Sequence, residues 1–278
     1  MNKEKFIKHA EEKFSGDALN ILLGQIDLFY SCNNDFSIGE NKYNIGDDVI
    51  LKKGTLLHGT YRNIEGLKDI KENGLIASWF IDGRISKYPS SVGVWNLKKD
   101  YLLKDYIDFY SGGTIRYNNM GDSTDTKTQV IPYSEMGNIM KIINESGYFR
   151  WYMEQTKEAR FMPSLAQNEV QIGIIFNSDN EYIKKLKEND ILNQNIDDEV
   201  VKVFVNEKFR DDFIKLRKEK DDFFTDRESA ILFGVPSCFI EGILVGRDYE
   251  NDKEKLIEIK QLLPNAYICN LDGKVIVN

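Results

Sequence analysis

Few residues in this sequence are suited to acid–base, nucleophilic or metal chemistry. Its 278 residues include two histidines, His9 and His58, and three cysteines, Cys32, Cys238 and Cys269. Zinc sites and disulfide frameworks need closely spaced or evenly paired ligands, which three scattered cysteines do not provide. His9 lies in a Lys/Glu-rich opening segment, so a mechanism that needs an imidazole rests on His58.

His58 stands at the end of an apolar run. The run Leu-Leu-His-Gly-Thr (56–60) precedes residues 64–75, whose apolar positions keep helical spacing and whose Gly74 marks a helix end. A strand is therefore predicted to deliver His58 to a turn, where Gly59 lets a ligand approach the main chain. The structural alternative is a histidine that caps the end of a strand.

Later segments extend this pattern. A short β-like segment ends at Trp95, an amphipathic stretch carries Tyr106, and Glu228 opens the run Glu-Ser-Ala-Ile-Leu-Phe-Gly-Val-Pro. Taken in order with the His-Gly-Thr motif, these residues resemble the ADP-ribosyltransferase superfamily of the diphtheria-toxin and poly(ADP-ribose) polymerase type. The chain also resembles bacterial DNA-modifying ADP-ribosyltransferase toxins.

The resemblance implies that NAD is the substrate and that no metal takes part. His58 then hydrogen-bonds the adenosine-side ribose, Gly59 binds the nicotinamide amide through its main chain, and Thr60 completes the motif. Trp95 stands where members of the family carry an aromatic residue on the second strand. Tyr106 is in register with the tyrosine that stacks on the nicotinamide ring.

The same resemblance makes Glu228 the main catalytic residue, with His58 beside it. Cleavage of the nicotinamide glycosidic bond passes through a ribosyl cation that resembles an oxocarbenium ion, which nearby negative charge stabilises. Glu228 is expected to bind the 2′-hydroxyl of the nicotinamide ribose and to stabilise that cation. The alternative is a glutamate at the start of a strand that pairs with a cation such as Arg227. Glu241 and Glu169 are weaker candidates for the catalytic role.

Two arginines are candidates for the pyrophosphate of NAD. The chain has no glycine-rich phosphate loop, so guanidinium groups are the expected partners of the two phosphates. Arg62 lies just after the His-Gly-Thr motif, and Arg84 lies in a turn-like stretch before the segment of Trp95. Both are equally compatible with solvated loop arginines.

The reaction itself stays open at this point. The first hypothesis is transfer of ADP-ribose to a macromolecular acceptor, protein or nucleic acid, in the toxin or phage-conflict biology that the resemblance implies. The second keeps the fold and changes the reaction to that of an NAD glycohydrolase or an RNA 2′-phosphotransferase. The third is a non-catalytic nucleotide-binding module. An antidote or regulatory protein is a further partner that remains open.

The elements that must position these residues indicate an α+β fold. Short β-like runs alternate with charged amphipathic runs, but no dinucleotide or P-loop motif follows any of them. The resemblance implies an ADP-ribosyltransferase-like split mixed β-sandwich with flanking helices. We expect an N-terminal helical appendage over residues 1–46 and a catalytic domain over 47–278, with insertions around 111–168.

Charge and hydropathy limit the partners. The net charge of −8 argues against non-specific binding to nucleic acid or to an anionic membrane. Residues 150–165 gather arginines and aromatic residues, a composition that suits base stacking, although a packed helix is the simpler interpretation. The absence of a long apolar run and the free thiols predict a cytoplasmic protein.

Overall fold

The computed structural model describes residues 2–32, 43–60, 62–77, 92–97, 99–111, 114–118, 126–130, 151–154, 171–177, 227–231 and 233–278. The helices in these ranges are α1 (Lys3–Lys13), α2 (Gly16–Ser31), α3 (Asn63–Asn73), α4 (Leu103–Ser111), α5 (Arg247–Glu250) and α6 (Lys253–Leu262), with a short 3-10 helix at Ser237–Phe239. None of these helices is both long enough and apolar enough to cross a bilayer.

The strands in the same ranges are short. They are β1 (Ile50–Leu51), β2 (Leu56–Thr60), β3 (Leu75–Ile76), β4 (Val92–Asn96), β5 (Tyr101–Leu102), β6 (Thr114–Asn118), β7 (Thr126–Val130), β8 (Trp151–Glu154), β9 (Ile172–Phe176), β10 (Arg227–Ile231), β11 (Gly234–Val235), β12 (Ile240–Val245), β13 (Tyr267–Cys269) and β14 (Val275–Val277). Helices and strands are therefore interspersed along the described parts of the chain.

Seven strands form the central sheet, in the order β10-β4-β2-β9-β12-β13-β14. Neighbouring strands run antiparallel except β12 and β13, which are parallel. Two further pairs, β1 with β5 and β3 with β11, lie outside this sheet. The predicted α+β class with a mixed sheet is confirmed. The finer expectation of a split sandwich stays a prediction.

Apolar side chains cover both faces of the central strands. In β2, Leu56 packs into a first hydrophobic cluster that includes α1, α2 and α3, whereas Leu57 packs into a second cluster that includes α4. All five residues of β9 are buried. Strands that are covered on both faces carry continuous apolar runs. This double coverage explains the run Ile-Gly-Ile-Ile-Phe in β9.

The N-terminal helices belong to the first cluster. Phe6 of α1 and Phe29 of α2 meet Phe233 edge-on, with ring centroids 5.1 and 5.0 Å from its own. The predicted amphipathic helices are confirmed, and they share one core with the sheet. The proposed boundary at residue 46 stays a prediction, because residues 33–42 lie outside the described ranges.

A small separate sheet lies in the segment between α4 and β9. Strand β6 pairs with β7 on one side and with β8 on the other, both antiparallel. The sequence predicts loops or insertions over 111–128 and 147–168, and a packed helix within 150–165. The helix is wrong for residues 151–154, which form β8. The Trp-Tyr pair that opens β8 suits a pleated strand. The pairing of β8 with the distant strand β6 cannot be predicted from the local sequence.

Gln25 is a polar residue on the buried face of α2. It is 1% exposed, and neither its Oε1 nor its Nε2 meets a hydrogen-bond partner among the described residues. A buried amide without partners loses its hydration and gains no hydrogen bond in exchange. Gln25 is therefore a point of instability in the N-terminal helical pair.

We expect Gln25→Met to raise the free energy of unfolding by about 1 to 2 kcal/mol, because methionine has a similar length and no group that needs a partner. Urea unfolding followed by circular dichroism measures the change. Gln25→Glu is the matched control, since it keeps the shape, adds a buried charge and should lower stability. A methionine variant less stable than wild type would show that the amide is satisfied in solution.

Candidate functional site

The candidate site centres on the end of β2. Residues 58–60 pair with residues 174–172 of β9. His58 and Gly59 are half-buried, whereas Thr60 is buried. The predicted strand thus delivers His58 to a partly accessible position at one end of the sheet, where the chain turns into α3.

Gly59 faces a second glycine across the ladder. Its partner on β9 is Gly173, so neither strand carries a side chain at this row. A glycine inside a strand often marks a place where a ligand approaches the main chain closely. Gly173 is buried, so the half-buried Gly59 is the residue of this row whose main chain a ligand can reach. The sequence analysis did not single out Gly173, an isolated glycine within the apolar run of β9.

Thr60 packs against α3 rather than into an open site. It is 7% exposed, and a Cβ added at Gly66 would collide with its Oγ1. The hydroxyl thus rests on the main chain of α3, which approaches β2 this closely because residue 66 is a glycine. Any contact of Thr60 with a ligand in this conformation runs through its main chain.

Arg62 lies at the start of α3 and forms an ion pair with Asp69 on the same helix. The two side chains are 68% and 53% exposed. Exposed ion pairs add little stability in water, so a phosphate can replace the carboxylate as the partner of the guanidinium. Arg84, the other arginine predicted for the pyrophosphate, lies outside the described residues.

A hydrogen-bonded network joins α3, β9 and α5 next to this turn. The main-chain N–H of Gln171 donates to Asn63 Oδ1 at 2.7 Å. Gln171 Nε2 donates to Asp248 Oδ2 at 3.4 Å, and the N–H of Asp248 donates to Gln171 Oε1 at 3.2 Å. None of these three residues was singled out from sequence, because the first contact uses a main-chain donor that carries no side-chain pattern.

Trp95 and Glu228 lie on the two strands beyond β2. Glu228 of β10 pairs with Trp95 of β4, and Trp95 pairs with Leu57 of β2. Adjacent strands are spaced by about 4.8 Å, so the backbone of Glu228 is on the order of 10 Å from that of Leu57, the neighbour of His58. The three predicted segments therefore occupy adjacent strands of one sheet.

Tyr106 is buried in the second cluster. It is 1% exposed on α4, and its ring meets that of Tyr101 edge-on with centroids 4.9 Å apart. Stacking on a nicotinamide needs an accessible ring face, so the role predicted for Tyr106 requires a shift of α4 or of Tyr101. Tyr101, which is half-buried and has Lys99 Nζ 5.0 Å from its ring centroid, is the more accessible aromatic residue.

The thiols of Cys238 and Cys269 are far from reactive at neutral pH. Burial raises the pKa of Cys238 to about 11, and burial raises the pKa of Cys269 further. Cys238 also donates to the carbonyl of Cys32 at 3.8 Å, so two cysteines that are distant in the sequence lie together. The thiolate, not the thiol, is the nucleophile. Cys238 therefore stays protonated, and the carboxylate and imidazole are the better candidates for chemistry.

Within the part of the chain that the structure describes, no group of three or more His, Cys, Asp or Glu side chains could hold a metal ion. Comparison of the chain with protein-family models, curated proteins and solved structures finds no match. The case for a function therefore rests on the residues and geometry of the site.

We expect Gly66→Ala to lower the free energy of unfolding, because overpacking against Thr60 costs about 1 to 3 kcal/mol and outweighs the gain of about 1 kcal/mol in helix propensity. Gly24→Ala is the matched control. Gly24 lies in α2, is exposed and has nothing within 4 Å of an added Cβ, so alanine should stabilise by about 1 kcal/mol. Thermal unfolding measures both. If Thr60→Ala fails to relieve the cost of Gly66→Ala, the collision is not the cause.

Alkylation of Cys238 by iodoacetamide should be slow at pH 7.5 and should accelerate with pH up to about 11, where its thiol titrates. The rate follows the thiolate fraction, which rises about tenfold per pH unit below the pKa. Mass spectrometry of the modified peptide gives the profile. The same cysteine in urea-unfolded protein is the control and should level off near its ordinary pKa of 9.0. A native profile that also levels off there would contradict burial of this thiol.

Proposed function

We propose that this protein is an NAD-dependent ADP-ribosyltransferase that moves ADP-ribose from NAD to a macromolecular acceptor and releases nicotinamide. The observation that carries the proposal is the strand order β2-β4-β10. It joins the strand of His58 and Gly59, the strand of Trp95 and the strand of Glu228. These segments are far apart in the sequence, yet they are consecutive neighbours in the sheet.

This strand order supports the proposal because the reaction needs two different groups along one extended substrate. An imidazole and an open main chain orient the dinucleotide, and a carboxylate must lie beside the forming cation. Gly59 is half-buried and carries no side chain, so a ligand can approach the main chain of β2 there. Two strand spacings, on the order of 10 Å, separate the backbones of the outer two strands, a distance that one extended NAD can bridge.

In the proposed reaction the C1′–N bond of the nicotinamide ribose breaks, and its electron pair leaves with neutral nicotinamide. Glu228 stabilises the positive charge that develops on the ribose, while His58 and Gly59 hold the dinucleotide. The acceptor then attacks C1′ from the opposite side and gives up a proton. Arg62 exchanges Asp69 for the pyrophosphate. The chemistry needs a single carboxylate, in keeping with the small number of reactive residues in the sequence.

We expect Glu228→Gln to lower the rate of nicotinamide release by about 100-fold or more, because it removes a charge worth about 3 kcal/mol to the transition state while preserving the shape. Labelled NAD and a cell lysate give nicotinamide release and transfer to acceptors in one assay. Glu241→Gln is the matched control, since Glu241 is a half-buried glutamate on β12. It should retain activity.

Each other hypothesis has its own signature in this assay. Free ADP-ribose without labelled macromolecule indicates an NAD glycohydrolase. NAD-induced thermal stabilisation without nicotinamide release indicates a binding module. Removal of a 2′-phosphate from RNA without any need for Glu228 indicates a phosphotransferase. Equal nicotinamide release by wild type and Glu228→Gln, with both folded, would overturn the assignment of Glu228.

A further inference from the structure

We infer that Asn63 is a positioning residue that fixes the turn between β2 and α3, and through this turn sets the affinity of the site for NAD. The inference deepens the proposed function and rests on it for the identity of the ligand. Its structural part, the attachment of the turn to β9, is independent of any ligand.

The first step of the argument is the way the β2–β9 ladder ends. Its last pair is Thr60 with Ile172. The residue that immediately precedes β9 is Gln171, whose main-chain N–H donates to Asn63 Oδ1 at 2.7 Å. The side chain of Asn63 thus binds the residue one position beyond the last pair of the ladder. The end of the ladder is therefore attached to the first residue of α3.

The second step is the conformation of Asn63. Its φ of 50° lies in the left-handed region, where no other non-glycine residue of the described ranges is found. Asparagine tolerates this region better than most residues, but it still costs free energy. A residue held there needs a compensating contact, and the bond from Gln171 provides it. The sharp turn and the hydrogen bond therefore depend on each other.

The third step is that Gln171 is itself held firmly. Its side chain is 5% exposed, and its carbonyl accepts from the N–H of Gly246 at 2.9 Å. Its side-chain amide donates to the carboxylate of Asp248 in α5 and accepts from the main-chain N–H of the same residue. A Cβ at Gly246 would collide with Gln171 Oε1. Asn63 is thus tied to a rigid point of the sheet. Thr60 and Asn63, on either side of Arg62, are thus both attached to this edge of β9.

This attachment predicts a specific kinetic effect. The turn would contact NAD through Arg62, which binds the pyrophosphate in the proposed reaction, away from the bond that breaks. Such contacts act equally in the ground state and in the transition state, so their loss raises KM and leaves kcat nearly unchanged. If Asn63 were needed only for stability, a fully folded variant would show neither a raised KM nor any other change in the kinetics.

Two substitutions of Asn63 separate the effect of the hydrogen bond from the effect of the backbone conformation. Asn63→Gly keeps access to the left-handed region and loses the acceptor, whereas Asn63→Asp keeps an acceptor and tolerates the same φ. We expect Asn63→Gly to raise the KM for NAD about three- to tenfold, the factor that one hydrogen bond contributes, with kcat retained. Asn63→Asp should restore the wild-type KM. An unchanged KM in Asn63→Gly, or equal impairment in both variants, would overturn the inference.

Hydrogen exchange at the main-chain N–H of Gln171, measured by NMR without NAD, tests the attachment of the turn to β9. Exchange should be faster in Asn63→Gly than in wild type and close to wild type in Asn63→Asp. Equal exchange in all three proteins would overturn the attachment whatever the activity. If wild type releases no nicotinamide and binds no NAD, the proposed function fails, and the exchange result still decides whether Asn63 holds the turn.

Discussion

The burial of both faces of β2, β9 and β12 is the constraint on which the rest of the structure depends. Leu56 and Leu57 enter different clusters, so β2 cannot slip by one residue without carrying His58 into the position of a fully buried leucine. Burying an imidazole without a partner is costly, and register is strongly specified wherever strand faces are buried. The position of the candidate site therefore follows from the packing of its apolar neighbours.

The sequence predicts the features of this fold that are encoded locally. The His-Gly-Thr strand, the helix after it and its end at Gly74 follow from hydrophobic spacing and one glycine. Tyr106 and the Trp-Tyr pair of β8 are different, because the burial of one and the strand conformation of the other depend on partners distant in sequence. The role of Asn63 cannot be predicted from the sequence either, because its hydrogen-bond partner is a main-chain N–H that is distant in the sequence. Sequence patterns thus identify the strands of the site better than the accessibility of its side chains.

The N-terminal helices pack against Phe233, which lies close to β10, the strand at the edge of the candidate site. This residue lies two positions beyond the end of β10, the strand of Glu228, and its ring is 0% exposed between Phe6 and Phe29. Edge-to-face aromatic pairs add about 1 kcal/mol beyond the burial of their surface. The helices are therefore part of the support of β10, and their loss would act on the carboxylate strand although they lie far from it in sequence.

The strand order also governs when the site can form during synthesis. The strand of His58 is completed early, but β9 beside it, and β10 and β12 one strand further on either side, all come from the later part of the chain. Contacts between such distant segments form slowly and leave apolar surface exposed in the meantime. A nascent chain on the ribosome therefore has its imidazole and both N-terminal helices well before its carboxylate strand. Translation itself therefore delays assembly of the central sheet until its later strands have been synthesised.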